Sequence, residues 1–447
     1  MNQTELRSAL SLASIYLMRM LGLFMIMPVI AVLAPQYPDY SPLLVGLAIG
    51  GYGLTQAVMQ IPMGMWSDKI GRKPIIVLGL ALFALGSVVA AIAETMTLVV
   101  IGRILQGAGA IAGAVMALAG DVSRENQRAK VMAIIGIAIG FSFYLAMILG
   151  PVIAGYSGLS GIFSLTAILA LLGIPLVLFG VPKGQTEAPK GDTLPVLNNI
   201  KKLISDTSLW RLNLSVMLLH MLITLIFVQV PVLFKAQGWE LNEHWSLYLP
   251  ILLASIVGLV VLMGLKRRVA GGALVRASII LMGLACAILF SLHADAMWLL
   301  GGVWLFFCGF NYLEANFPAL VSSIAPAGQK GSAMGIYASF QFFGAFLGGV
   351  VSGVVTQYFS AEAVFATGAG ICLLWLGLLA GFTGMEHLKR YALAYPENKT
   401  PADLEHAFSD LPGVSDFSIN EKENTVYLKV DSQVFDLQKA QQLVGTN

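Results

Sequence analysis

Charge is what this sequence has least of. Only 11% of its 447 residues are Asp, Glu, Lys or Arg, against roughly 25% in a soluble domain. With 57% hydrophobic residues and a mean hydropathy of +0.81, the apolar surface is too large to hide behind so few charges, so the solvent must largely be lipid. Cysteine is scarce as well. Cys286, Cys308 and Cys372 each sit in an apolar run, which excludes a disulfide scaffold and every zinc or redox spacing and leaves small-residue packing as their role. No phosphate-cradling P-loop occurs, so ATP-driven chemistry is not expected. No nucleophile, base and orienting group converge, and nothing in the pattern suits nucleic acid, a metal or a cofactor. The first apolar run, Ala9–Leu33, is longer than a signal-peptide core.

The charge that is present is unevenly placed. Residues 1–385 hold 20 Lys and Arg against 14 Asp and Glu, whereas residues 386–447 hold 6 against 10. A basic membrane body thus carries an acidic, soluble tail. Apolar runs bounded by charges and turn residues predict spans at 9–33, 43–66, 74–93, 97–119, 129–151, 161–181, 209–234, 245–264, 273–292, 296–318, 332–355 and 362–384. The connections between them alternate in charge. Those at 34–42, 94–96, 152–160, 293–295 and 356–361 lack Lys and Arg, and 235–244 has only Lys235. The intervening ones carry Lys69, Arg72, Lys73, Arg124, Arg128, Lys183, Lys190, Lys201, Lys202, Lys266, Arg267, Arg268 and Lys330. By the positive-inside rule both termini are expected in the cytoplasm.

The long connection at 182–208 divides the spans six and six. Its Leu197, Ile200, Leu203 and Ile204, with Lys201 and Lys202 between them, predict a short amphipathic helix on the inner surface. A trace of duplication survives: Gln127-Arg128-Ala129-Lys130-Val131-Met132-Ala133-Ile134 opens span five, and Gln329-Lys330-Gly331-Ser332-Ala333-Met334-Gly335-Ile336 opens span eleven. Halves of this kind rock about a midplane site in transporters.

Between spans two and three stands Gly64-Met65-Trp66-Ser67-Asp68-Lys69-Ile70-Gly71-Arg72-Lys73-Pro74, with the spacing G-x-x-x-D-[RK]-x-G-R-[RK]. Taken alone it is a basic loop with turn glycines. Its spacing and place resemble the signature loop of the major facilitator superfamily. Arg103-Ile104-Leu105-Gln106-Gly107 in span four resembles that superfamily's R-x-x-x-G element. Gly150-Pro151 through Gly155 resembles its antiporter element in part, since Ile137 and Ala146 replace two glycines. Arg19-Met20-Leu21-Gly22, the run Asn311…Glu314…Pro318 and the extra tail look most like inner-membrane members with a ferredoxin-like tail domain. The resemblance implies an all-α membrane protein of 12 transmembrane helices in two six-helix halves, 1–181 and 209–385, with the tail at 386–447.

The same resemblance implies that span two packs on span eleven. Asp68 would then cap the positive end of span eleven while the inner side is shut, with Gly64, Lys69, Gly71, Arg72 and Lys73 completing the gate and Asp121 as a partner for Arg72. Charges within the bilayer cost roughly 2.5–3.5 kcal/mol each on the insertion scale and are functional candidates. Arg103, with Gln106 one turn on, can hold a substrate anion, modulate a proton site or form a structural pair. Arg19 can do the same or snorkel to the inner surface. Glu314, in a polar run with Asn311, suits a proton that loads and unloads, or else a structural hydrogen bond. His220 is either a packed core residue or an alternative carrier.

The tail reads as a βαββα module: a strand at 388–395, a helix started by Thr400-Pro401-Ala402-Asp403 with Leu404, Ala407, Phe408 and Leu411 on one face, strands at 414–420 and 425–430 around the turn Glu421–Asn424, and a helix at 434–444. It resembles a ferredoxin-like fold without the Cys pair of metal chaperones, so docking or sensing is expected of it.

These readings point to a secondary transporter of the bacterial inner membrane, working by proton-coupled efflux. An importer or uniporter is the alternative, and a membrane sensor using the tail is a third possibility. The partners expected are an unidentified small-molecule substrate, protons and the lipid bilayer, with no nucleic acid, no metal and no cofactor, and the chain is expected to be a monomer.

Overall fold

A computed structural model of the chain describes residues 1–182, 203–326, 330–381, 388–394, 404, 407–420, 425–431 and 434–444. The predicted residues Leu197, Ile200, Lys201 and Lys202 of the linker, Gln329 of the repeat, the cap at Thr400–Asp403 and the turn Glu421–Asn424 lie outside them.

Ten helices among the described residues are long and apolar enough to cross a membrane. We number the passes in chain order: α1 Gln3–Phe24, α2 Pro42–Ile70, α3 Arg72–Ala91 and α4 Met96–Asp121, the last broken into Met96–Ala108 and Ala112–Asp121. Next comes one helix of 51 residues, Glu125–Pro175, which at 1.5 Å per residue is about 75 Å long, more than twice the hydrocarbon thickness. It is interrupted at Gly158, where φ is 62° and ψ is −161°, a conformation that only glycine adopts readily. Its two limbs, 125–157 and 159–175, run in opposite directions. Gly150 packs on the backbone of Met25, Thr166 lies over Gly22, and Arg7 Nη2 donates to the carbonyl of Phe179 at 2.8 Å. The chain therefore climbs α1 and comes back down it, and the limbs are passes α5 and α6. The rest are α7 Thr207–Ala236, α8 His244–Leu265, α9 Gly271–Leu292, α10 Ala296–Ile324, α11 Lys330–Tyr358 and the 16-residue α12 Ala363–Leu378.

Short polar caps set several starts. Asn2 and Glu5 form a capping box on α1, Ser41 accepts from Leu44 on α2, and Asp206 and Asp295 cap α7 and α10. The predicted first span ends early: α1 stops at Phe24, and a turn around Pro28, which has no amide hydrogen to continue the helix, leads into Ile30–Leu33.

Ionic contacts define two faces. On one, the basic face, Arg124 grips Glu5 at 2.8 and 3.0 Å near the loop at 68–73. On the opposite, far face, Asp39 accepts from the amides of Met96 at 2.6 Å and Thr97 at 2.9 Å, fastening the α1–α2 connection to the start of α4. Bonds from the Thr97 hydroxyl and these amides hold the Asp39 carboxyl below the usual carboxylate range.

The halves meet along α2 and α11. A Cβ at Gly46 would fall on the carbonyl oxygen of Gly349, one at Gly50 would stand 2.8 Å from the oxygen of Phe346, and one at Gly353 would stand 2.8 Å from the Cα of Leu43. The seam runs down to mid-membrane, where Ser339 Oγ donates to the carbonyl of Ala57 at 3.0 Å. Small residues here let two backbones touch where lipid supplies no hydrophobic drive for association.

The tail holds three strands, β1 Leu388–Ala394, β2 Val414–Asn420 and β3 Thr425–Asp431, in the order β1-β3-β2 and antiparallel throughout. Leu393, Leu404, Phe408, Val426, Leu428, Val430 and Ala440 form its core. The last helix, Leu437–Val444, begins three residues later than 434 because Asp436 caps it, accepting from the amide of Gln438 at 3.0 Å. Among the described residues there is no fourth strand, and β1 stands at an edge. Lys429 Nζ donates to the carbonyl of Ile324 at 2.7 Å, docking the sheet on the basic-face end of α10.

Candidate functional site

The loop between α2 and α3 owes its shape to Gly71, whose φ of 111° and ψ of 151° let one residue end one helix and start the next. The turn sets Arg72 back over the end of α2, where Nη2 lies 3.3 Å from Asp68 Oδ1 and Nη1 lies 3.3 Å from Ser67 Oγ, while Nε reaches Asp121 Oδ2 of α4 at 3.1 Å. Ser67 Oγ itself donates to the carbonyl of Gly64 at 2.6 Å. Lys69 faces solvent. Lys73 Nζ donates to the carbonyls of Leu178 at 3.2 Å and Val181 at 2.5 Å, so it holds the end of the sixth pass as well as marking the basic side.

Two further clusters lie at mid-membrane, one in each half. In the first, Arg19 of α1 is fully buried, which excludes snorkelling. Its Nη2 donates to Gln56 Oε1 at 2.8 Å and to the carbonyl of Gly109 at 2.9 Å. Gly109 is where α4 breaks, so the guanidinium lies against the negative end of a half-helix. Arg103 donates from Nε to the carbonyl of Ala48 at 2.8 Å and from Nη1 to Gln106 Oε1 at 2.7 Å, and Gln106 passes the chain to Ser87 at 2.7 Å. Both guanidinium carbons lie near the ring of Tyr52, at 6.0 Å for Arg19 and 5.0 Å for Arg103. Carbonyls, amides and rings thus disperse the charge of Arg103 and part of that of Arg19, whose Nε and Nη1 are buried without a hydrogen bond.

The second cluster joins residues that the sequence offered separately. His220 Nε2 of α7 stands 3.6 Å from Glu314 Oε2 of α10. Gln341 of α11 bridges them, with Nε2 2.7 Å from His220 Nε2 and 3.4 Å from Glu314 Oε1. His220 Nδ1 lies 3.1 Å from the carbonyl of Val216. The Glu314 side chain is 37% exposed, yet its Oε2 is buried and without a hydrogen bond, as is the hydroxyl of Tyr337 beside it. One turn away, Asn311 donates to Ser255 Oγ of α8 at 2.9 Å, and Tyr144 of α5 bonds to the same pair. Rings of Phe24 and Phe143 from one half and Phe227 and Phe307 from the other meet at 5.3 to 6.2 Å, and Phe310 continues the chain to His220. An aromatic band therefore runs between the halves to the carboxylate.

Glu314 and Arg103 belong to different clusters in this arrangement. Gln56, Tyr52 and Gln341 were missed by the sequence reading. Their one advance signal is a polar group in the middle of an apolar span.

Comparison with known proteins agrees with this architecture. Residues 12–322 and 274–414 match the family model described as Major Facilitator Superfamily.

The chain belongs to the major facilitator superfamily.

It is 37% identical over 447 residues to the inner membrane transport protein YajR of Escherichia coli K12, covering 98% of each chain. It is 33% identical over 377 residues to an uncharacterized transporter of Buchnera aphidicola subsp. Schizaphis graminum, covering 84% of this chain and 96% of that one. Among solved structures, a bacterial homolog of the human lysosomal transporter Spinster, inward-facing and occupied, superposes with a TM-score of 0.66 at 15% identity, over 85% of this chain and 96% of the other. The human organic anion transporter MFSD10 gives 0.61 at 20% identity, over 85% of this chain and 100% of the other. These two likenesses speak to the fold alone. With the family, they make the chain a multi-pass membrane transporter of the superfamily fold.

Proposed function

We propose that this transporter exports a small molecule across the bacterial inner membrane in exchange for protons, by alternating access. The observation that carries the reading is the His220–Glu314 pair at 3.6 Å. A buried carboxylate oxygen with no bond is costly in a bilayer unless a proton or cation covers it, and an imidazole beside it is a second proton acceptor. Two titratable groups on different helices, at the end of an aromatic band between the halves, suit a site where proton and substrate compete. Gly150 packs against Met25 and Gly155 against Asn242, and the antiport direction rests on the resemblance of this stretch to part of the antiporter element.

The basic face is the cytoplasmic one in this reading, and both termini lie on it. The loop at Gly64–Lys73 is its gate. Asp68, held by Arg72, stands ready for the N-terminal end of α11, whose dipole favours an anion. The tail, of ferredoxin-like order with no fourth strand among the described residues, is a docking module seated on α10.

The test uses everted membrane vesicles energised by respiration, with a fluorescent reporter of the pH gradient, and a panel of organic cations, anions and neutral solutes. A transported compound should dissipate the gradient in vesicles holding the protein and leave it intact in vesicles without it. Solute movement that leaves the gradient untouched, and that a protonophore does not slow, would count against coupling. Asp68→Asn should lower the rate several-fold while the protein still inserts, and should raise cysteine labelling at the basic-face mouth. Parent-like rate and labelling would remove Asp68 from the gate.

A further inference from the structure

The bridge between His220 and Glu314 has a property that follows from donor and acceptor counting. The Nδ1 of His220 faces the carbonyl of Val216 at 3.1 Å, an acceptor, so in the neutral ring Nδ1 carries the hydrogen and Nε2 carries the lone pair. The Gln341 amide nitrogen, 2.7 Å from Nε2, donates to that lone pair, and its second hydrogen faces Glu314 Oε1 at 3.4 Å. One NH₂ group thus serves both proton acceptors, and its bond to His220 lasts only while Nε2 carries no proton. A proton on His220 Nε2 would set two donors face to face. A proton on Glu314 Oε2, the oxygen without a bond, would compete with the amide for the Nε2 lone pair. Protonation of His220 displaces the Gln341 amide, by a flip or by withdrawal; protonation of Glu314 Oε2 does so where its O–H closes the 3.6 Å to Nε2 and takes the lone pair.

Gln341 sits on the helix that closes the seam. Ser339, two residues before it, donates to the carbonyl of Ala57 on α2 at 3.0 Å. Phe342, the next residue, lies with its ring 6.2 Å from that of Tyr52 and its carbonyl against Gly53. Other charged or titratable groups on the packed elements include Tyr337 on α11, Tyr312 on α10, Tyr144 on α5, His244 and Tyr248 on α8, Arg211 and Lys235 on α7, Arg276 on α9, and Lys266 just after α8, which donates to Asn316 at 2.5 Å. Among the described bonds, only Gln341 touches both His220 and Glu314 while standing on α11.

We infer that Gln341 is the positioning residue through which the α2–α11 seam reads the protonation state of His220 and Glu314. This rests on the proton-coupled reading above and adds the route by which a proton in one half moves the contact between halves. The amide holds α11 in one register when the site is empty of protons and releases it when a proton arrives.

The probe is the distance between spin labels at Gln36→Cys and Gln357→Cys, exposed positions on the far face in opposite halves, with Cys286, Cys308 and Cys372 replaced by Ala in the full chain. No substrate is needed. Between about pH 5 and pH 8, the parent should shift population between a short and a long distance, and the double variant His220→Gln with Glu314→Gln, which removes both proton acceptors, should abolish that shift. Gln341→Met keeps the length of the side chain and removes the amide. It should leave both distances observable and cut the pH-dependent shift to less than about one-third of the parent's. Gln341→Leu serves as a second variant if the first folds poorly. A purely structural role would move the distances equally at every pH. A Gln341→Met shift as large as the parent's, with the double variant flat, would overturn the inference and leave the proton site standing. A parent that shows no shift, or a double variant that keeps it, would overturn the proton site and the inference together.

Discussion

Gly46→Leu should stop transport, lowering the rate by more than about tenfold, while the protein still inserts and purifies as a single species. The Cβ of any residue at this position falls on the carbonyl oxygen of Gly349, and the backbones of Gly50 and Phe346 are nearly as close one turn on. Overpacking a tight contact costs about 1–3 kcal/mol, and against a two-state equilibrium that is a change of roughly 5- to 150-fold in population. In the alternating-access reading the cost falls on states in which the far face is closed, the arrangement in which α2 and α11 touch at this level. The substitution should therefore trap the transporter open on the far side. Spin labels at Gln36→Cys and Gln357→Cys would register this as the long distance at every pH. A parent-like short distance with parent-like transport would mean that α2 and α11 separate and rejoin elsewhere than at these glycines.

Much of the fold was legible because lipid imposes simple rules. Apolar length and the alternation of Lys and Arg between connections marked twelve spans; among the described residues ten helices are long and apolar enough to cross and the shorter Ala363–Leu378 falls on the last span, while several ends differ, α1 stopping at Phe24 and α10 running on to Ile324. What stayed hidden was backbone detail that hydropathy does not register. Pro28 lies in an apolar run like any other, so the end of α1 at Phe24 was invisible. The break of α4 at Gly109 was hidden in the same way, although it supplies the carbonyl that Arg19 needs. Single residues were legible by their cost: Arg19, Arg103, His220 and Glu314 stand out because ionisable groups are rare in apolar spans. Their pairing was not legible, because His220 and Glu314 meet only once α7, α10 and α11 pack together. Gln341 and Gln56 left too faint a mark, since a neutral amide among apolar neighbours looks unremarkable until its partners are in place. Lys73 shows the reverse limit: its sign gave topology, and only the fold shows it bonded to the end of α6.

The second large effect is expected at Glu314. Glu314→Gln preserves shape and retains hydrogen-bonding atoms toward Gln341 but cannot gain or lose a proton. If the His220–Glu314 pair carries the exchanged proton, the variant can still bind substrate and swing between faces, so counterflow should persist within about threefold of the parent. Uphill transport should fall by more than about tenfold, because no proton is returned for each substrate exported. His220→Gln should show a smaller loss if the carboxylate is the primary carrier, and an equal one if the two groups share the proton as a pair. Arg103→Gln tests a different idea, since its bonds to Ala48 and Gln106 lie within its own half. The measurement that bears most directly on the central claim is the pH inside proteoliposomes loaded with a pH-sensitive dye, recorded when a transported compound is added outside, with parent and Glu314→Gln side by side. The parent should change its internal pH in step with substrate movement and Glu314→Gln should not, although both admit labelled substrate by exchange; an equal pH change in the two would contradict the account and place the proton route away from Glu314.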